Sequence, residues 1–355
     1  MKRSKVKEIV VIPARIIIGL PKAIKIANEE SYNPEKKRKI LPKRITDNIL
    51  WLIRYHEPNR FYNLYGFDIK NNKGVEKSYI NYLEFAHDRD EKNQLKEVCS
   101  QVILLRDKLL FYKYMKSNGL PVPEVFAVLI NGVLFDIDMN KISEVDLKEV
   151  KDYFVKDMDG ECASYVKHIN DYNEFLKNKK NIYKYNCIFQ KKLVQQSQMS
   201  IINPKAINTL RIVTVYNNGN PYVLSALLRV GTKKSGNVDN WAKGGLAIGI
   251  RKDGYLKKYG YYKPHYGTKT NIHPDTNVVF TDFLIPQWDV ACKTACKAHK
   301  VFYNVETIGW DIAITSDGPM FIEGNDNWEI SLNQVVDNGL KVKWIKAMKD
   351  YDNKK

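Results

Sequence analysis

Two apolar runs near the C-terminus, WDIAIT and MFIEGN, flank the turn signal SDGP, so the pattern predicts a β-hairpin over 309–325. A second hairpin is predicted upstream, where INTLRIVTVYNNGNPYVLSALLRVG (207–231) alternates about NNGNP. EVKDYFVKDMDGECASYVKH (149–168) reads as strand, short loop, strand, and NCIFQKKLVQQ (186–196) as a strand ending in a polar segment. Helical spacing appears from about residue 106 to 117, closed by Asn118 and Gly119 and followed by a proline-punctuated entry into a strand. Pro286 opens another helix that runs through His299. Residues 1–100 read as helical and basic, with aromatic anchors in ILWLIRYHEPNRFYNLYGF (49–67) and no catalytic pattern. The later part, 101–355, therefore reads as a mixed α+β body rich in antiparallel sheet.

The pattern carries an anomaly in the last hairpin. Each of its strands bears an acid where a core strand would bear a valine. With Asp317-Gly318 at the tip, Asp311 falls within one position of Glu323 across the ladder, and Asn325 shares the phase of Glu323. Two carboxylates this close on a half-buried sheet repel and lose hydration. A divalent cation removes that cost, and a donor set of carboxylate and amide oxygens suits Mg²⁺, which keeps waters and takes phosphates as its remaining ligands. The plainer alternative is a solvent-facing strand with ordinary acids.

Bulk properties change the picture little. At roughly 150 residues per domain, a chain of 355 residues is long enough for two domains. Its 44% hydrophobic and 27% charged residues are ordinary for a globular protein. A net charge of +17 attracts polyanions of any class: nucleic acid, anionic membrane, nucleotide or acidic sugar. No nucleic-acid recognition motif accompanies that charge, which is spread along the chain. Five scattered cysteines argue against a disulfide framework and for a reducing, cytoplasmic compartment. Cys292, Cys296 and His299 share a helical face, but three ligands without a fourth read as a core face. The run IVVIPARIIIGL (9–20) contains Arg15, is too short to cross a bilayer and lacks a cleavage site for a signal peptide. It reads as the start of a helix packed on the body; the other reading rests it on a membrane surface beside the basic run KKRK (36–39).

The carboxylate–turn–E-x-N arrangement resembles the metal-binding end of ATP-grasp enzymes. More narrowly, NTLRIVTV, LLRVG with NVDNWAKGG, HPDT with IPQW, and GWDIAIT with GPMFIEGN resemble the sugar-transfer-associated ATP-grasp family found among surface-polysaccharide (capsule) biosynthesis proteins. The resemblance implies an ATP-grasp fold, two α+β subdomains clasping ATP, preceded by the helical N-terminal region. It implies that Asp311, Glu323 and Asn325 hold Mg²⁺ against the ATP phosphates, that Lys108 and Lys156 approach those phosphates, and that the loop DMDGECAS with Gly160 covers them. Gln190 and the backbone of Lys191 to Leu193 are the implied adenine contacts. Taken alone, Lys156 is one lysine among many.

Two departures stand out. The phosphate loop carries one glycine, Gly160, and Gly309 stands where some ATP-grasp ligases carry an arginine. Arg211 and Arg229 are then the candidates to stabilise charge at the reacting carboxylate; the alternative for each is a buried structural ion pair. On strict alternation Arg211 faces with Thr209 and Val213, away from Leu210 and Ile212. The polar segment SGNVDNWAKGG (235–245) resembles a substrate lid, with Asp239, Asn240 and, from NIHPDT, His273 as substrate contacts. The activity implied is ATP-dependent carboxylate–amine ligation through an acyl phosphate, joining an amino acid or amine to a sugar acid or glycan, with ATP and Mg²⁺ as cofactors. The rivals are a kinase on the same fold and a non-catalytic scaffold of a polysaccharide complex. A peripheral membrane or polysaccharide-assembly contact is the further expectation, and nucleic acid is not expected as a partner.

Overall fold

The computed structural model describes residues 5–72, 74–94, 101–158, 165–217, 219–236 and 238–352. Helices α1 (Lys5–Asn28), α2 (Leu41–Tyr55) and α3 (Tyr82–Gln94) come first, then α4 (Val102–Arg106) and α5 (Lys108–Ser117). Helix α5 begins two residues later than the spacing alone implied, because Asp107 caps it: its carboxylate accepts from Leu110 N at 2.8 Å.

The first sheet is built from β1 (Val125–Ile130), β2 (Val133–Phe135), β3 (Tyr153–Asp157), β4 (Val166–Ile169) and, after helix α6 (Tyr172–Ile182), β5 (Cys187–Lys191). It is antiparallel throughout, in the order β2-β1-β5-β3-β4. One face closes on α6 through Phe175, Tyr153 and Phe189, and the other meets α5 at Tyr112, Val125 and Ile188.

Helix α7 (Ser197–Ile202) leads into the larger sheet, formed by β6 (Thr209–Val215), β7 (Tyr222–Val230), β8 (Leu246–Ile250), β9 (Leu256–Tyr262) and β10 (Lys269–Thr270). Helix α8 (Trp288–Val301) follows, then β11 (Thr307–Thr315), β12 (Gly318–Asn325), α9 (Ile330–Asp337) and α10 (Lys341–Asp352). The seven strands run β10-β9-β8-β7-β6-β11-β12, each pair antiparallel. Both predicted hairpins are therefore present, joined side by side through β6 and β11.

Alternation sends Leu210, Ile212, Trp310 and Ile312 to the face covered by α8. The opposite face is covered by the N-terminal region: Tyr32, Tyr62, Tyr65 and Tyr79 pack with Leu227, Ala247 and Val336 of the sheet and α9. Phe85 joins Trp328 and Trp344 in a third cluster with Val213 and Val215. The aromatic anchors of the first hundred residues are thus core residues of the large sheet.

One irregularity matters for everything that follows. Asp311 pairs with Glu323 and Ile312 with Phe321, so Ile322 is an extra residue in β12. Without that bulge, strict alternation would put Phe321, Glu323 and Asn325 on one face. With it, Phe321 stays in the core against Trp310, and Glu323 turns to the face of Asp311.

Candidate functional site

The site forms where β6, β7, β11 and β12 turn their polar residues to one face. Arg211 lies opposite Asp311 in the ladder, and its Nε and Nη2 donate to the two carboxylate oxygens at 2.6 and 3.1 Å. Arg229, from β7, adds a third bond through Nη1 to Oδ2 at 2.8 Å. Arg229 is itself bracketed: its Nε donates to Asp239 O at 3.3 Å and its Nη2 to Asp239 Oδ1 at 3.4 Å, while Thr209 hydrogen-bonds the other oxygen of Asp239. Asp239, expected as a substrate contact, is tied to Arg229 and Thr209 beside Asp311. Asn240 is turned the other way, its Oδ1 accepting from Ala242 N at 2.8 Å to cap its own turn.

These contacts set the charge states. Burial works to raise the Asp311 carboxyl, but the Arg211 and Arg229 guanidiniums hold it well below the usual carboxylate range. Burial likewise opposes charge on Arg229, and Asp239, Asp311 and Glu323 outweigh it. Glu323 has no such fork. Burial, then the charge of Asp311 beside it, push its carboxyl up to about 7, and as the acid it hydrogen-bonds Asp311. Asn325 donates from Nδ2 to Glu323 Oε1 at 3.2 Å and to Gly309 O at 3.3 Å.

The smaller sheet supplies the facing wall. Lys156 on β3 donates to Gln190 Oε1 on β5 at 2.7 Å, and burial pushes its ammonium down to about 8, with Glu323 opposing and Lys108 reinforcing that shift. Lys108 pairs with Asp157 at 3.3 Å, and its backbone N–H donates to Met158 O, which ties the start of α5 to the end of β3. Lys108, Lys156 and Gln190 are therefore neighbours, and Lys156 senses Glu323 of the other sheet.

The remaining candidate positions fall as follows. In the segment expected to meet adenine, the amides of Lys191 and Lys192 donate to Glu124 O at 2.8 Å and Asp152 O at 3.3 Å, and Leu193 is half-buried just beyond the strand. His273 is not an exposed lid residue. It is buried, Nε2 donates to Gly231 O at 3.0 Å and Nδ1 accepts from Asp275 N at 3.3 Å, so both ring nitrogens brace the scaffold. Gly309 does not leave a gap for a cation to fill: a Cβ there would lie 2.6 Å from Trp328 Cβ. Gly160 lies outside the described residues. His299, read as core, is fully buried between Thr214 and Val305 O, each at 2.7 Å, while Cys187, Cys292 and Cys296 are free thiols.

Sequence reasoning missed two groups. Arg106 grips Asp326 with a fork at 3.0 and 2.7 Å, which fixes α4 to the residue after Asn325. Glu329, raised by burial, caps α9 through Ser331 and lies within electrostatic reach of Lys263, Arg211 and Tyr65. Its only local signal was an acid two residues before a serine at the head of an apolar run.

Among the described residues no three His, Cys, Asp or Glu side chains converge as a metal cluster. The candidate set is two acids and an amide. Asp311 accepts three bonds from Arg211 and Arg229, whereas Glu323 is raised first by burial and then by the charge of Asp311 beside it. The oxygen donors of Glu323, Asp311 and, with its amide turned, Asn325 suit a hard divalent cation, whose charge would oppose the effect of burial on Glu323.

Residues 177–349 match the family model described as sugar-transfer associated ATP-grasp. No curated protein matches the chain. Among solved structures, an L-amino acid ligase from Bacillus licheniformis matches at 15% identity over 68% of this chain and 45% of its own, with a TM-score of 0.41. The ATP-grasp ligase PsnB, complexed with a precursor variant, Mg and ADP, matches at 13% over 74% and 61%, with a TM-score of 0.41. An N5-carboxyaminoimidazole synthetase from Staphylococcus aureus, complexed with ADP, matches at 12% over 65% and 47%, with a TM-score of 0.40. The chain spans about half the length of the ligase and synthetase chains.

Proposed function

With residues 177–349 a segment of the sugar-transfer-associated ATP-grasp family, we propose that the protein is an ATP-dependent carboxylate–amine ligase. The observation that carries this reading is the Asp311–Glu323 pair, clamped by Arg211 and Arg229 and faced by Lys156 across the two sheets. Such a constellation binds and orients a triphosphate and stabilises negative charge, which is what phosphoryl transfer requires of a protein.

Glu323, Asp311 and the Asn325 oxygen would hold Mg²⁺, which would neutralise the phosphates and polarise the transferred group. Lys108 and Lys156 would set the phosphates as point charges. The free N–H groups of Arg211 and Arg229 would receive the substrate carboxylate. That carboxylate attacks the γ-phosphorus, the bond to ADP breaks, and an acyl phosphate forms. An amine then attacks the acyl carbon, phosphate leaves with the bonding pair, and the ammonium proton passes to solvent, giving an amide. The substrates we propose are a sugar acid or anionic glycan and an amino acid or amine, in surface-polysaccharide assembly.

The test is a screen of sugar acids against amino acids with Mg²⁺ and ATP, read by ADP release and by mass spectrometry of the product. An amide together with free phosphate supports the ligase. A phosphorylated acceptor with no free phosphate assigns the same site to a kinase.

A further inference from the structure

Helix α1 meets the body largely through small residues, with Ile26 among them. Gly19, Ala23 and Ala27 are buried toward the body, and a Cβ on Gly19 would lie 2.6 Å from Leu52 Cδ1 of α2. Ile26 is buried beside them, but four other apolar residues face the other way. Ile17, Leu20, Pro21 and Ile24 are exposed at i, i+3, i+4 and i+7, one continuous helical stripe, with Ile17 71% and the adjoining Ile18 66% accessible. On α2, held against α1 at the Gly19–Leu52 contact, Leu50 and Ile53 are 57% and 51% accessible. Scattered exposed aliphatics are ordinary, whereas a stripe in helical phase with its small residues turned inward calls for an occupant.

Charge selects that occupant. The flank of the α1 stripe carries Arg15, Lys22 and Lys25, all exposed, and residues 12–28 contain no acid. On α2, Lys43 and Arg54 are exposed, and the one acid, Asp47, is ion-paired with Lys39 and Lys43. A second copy of this chain would bring like charges together. The stripe is aliphatic, without the aromatic residues that anchor protein interfaces. Among the described residues no helix is long and apolar enough to cross a membrane. We propose that α1 and α2 form a docking face for a bilayer containing anionic lipid, the isoleucines entering the acyl boundary and the lysines meeting the headgroups. The inference is independent of the ATP chemistry.

The test is co-sedimentation of the full chain with phosphatidylglycerol/phosphatidylcholine vesicles and with pure phosphatidylcholine vesicles. The expected result is at least tenfold tighter binding to the anionic vesicles. Ile17→Ser with Ile24→Ser, and separately Lys22→Gln with Lys25→Gln, should each weaken it at least fivefold without changing the melting temperature. Lys293→Gln with Lys297→Gln, exposed on α8, removes the same charge elsewhere and should leave binding within twofold. Equal losses from the α1 and α8 charge variants would mean adsorption by net charge and overturn the proposal. So would indifference of the wild type to anionic lipid, or a concentration-dependent dimer in sedimentation velocity that the isoleucine variant abolishes.

Discussion

Arg211 sits directly across the β6–β11 ladder from Asp311 and grips both its oxygens, while Arg229 reaches the same carboxylate from the next strand. The acid read as a metal ligand and the arginines read as charge stabilisers are one interlocked unit. Replacing any member therefore changes the charge state of the others.

Asp311→Asn should leave two buried guanidiniums facing each other with one counter-charge fewer. Breaking a buried pair from one side costs about 3–5 kcal/mol, read here as a lower urea midpoint. Arg211→Lys keeps the charge and loses the fork, so it should lose less than half as much. Equal losses from the two variants would show that bidentate geometry contributes nothing.

Glu323→Gln should behave oppositely. It removes a carboxyl that Asp311 repels and that burial disfavours, so the ligand-free protein should melt no lower than wild type, or slightly higher. Stabilisation by Mg²⁺ with ATP, about 2.7 kcal/mol at a hundredfold excess over the dissociation constant, should disappear in thermal-shift measurements. A wild-type shift in this variant would remove Glu323 from the binding site.

Gly309→Ala should destabilise by about 1–3 kcal/mol, the range for overpacking a filled core. Its new methyl would meet Trp328 Cβ at 2.6 Å, and Trp328 is fully buried between Phe85 and Trp344. A neutral urea midpoint would show that Trp328 can move, and would reopen this position to a larger side chain.

His299 should make the fold acid-sensitive. Trp310 Nε1 donates to Thr214 Oγ1, the Thr214 hydroxyl donates to His299 Nδ1, and His299 Nε2 donates to Val305 O, a chain consistent with the neutral ring. Burial pushes its imidazole from 6.5 down to about 4. The unfolded chain takes up this proton first, so the stability is fully present above pH 6.5 and is lost as pH falls toward 4. At about 1.4 kcal/mol per pH unit the full effect is about 3 kcal/mol. NMR of the histidine ring protons tests it: His299 should hold its neutral shift at pH 5, and a midpoint near 6.5 would contradict the burial argument.

The sequence by itself determined the two hairpins, the acids set among core residues, and the face on which Arg211 lies, because β-strand alternation and turn chemistry are local. It also carried the family resemblance, since those motifs are contiguous. Only the tertiary structure decided how these pieces combine. The extra residue Ile322 shifts the phase of β12 so that Glu323 meets Asp311 while Phe321 stays in the core, and no local pattern announces a bulge whose cause is packing on both faces. That both arginines close on one carboxylate follows from the strand order β7-β6-β11, which joins residues about a hundred positions apart. His273 read as a loop residue because its neighbours are polar, yet it is buried through its bond to Gly231 of the β7 end. The N-terminal aromatics read as a separate helical region, yet they bury against the large sheet, because a face of seven strands left open to water needs a cover and nothing in local sequence says which segment supplies it.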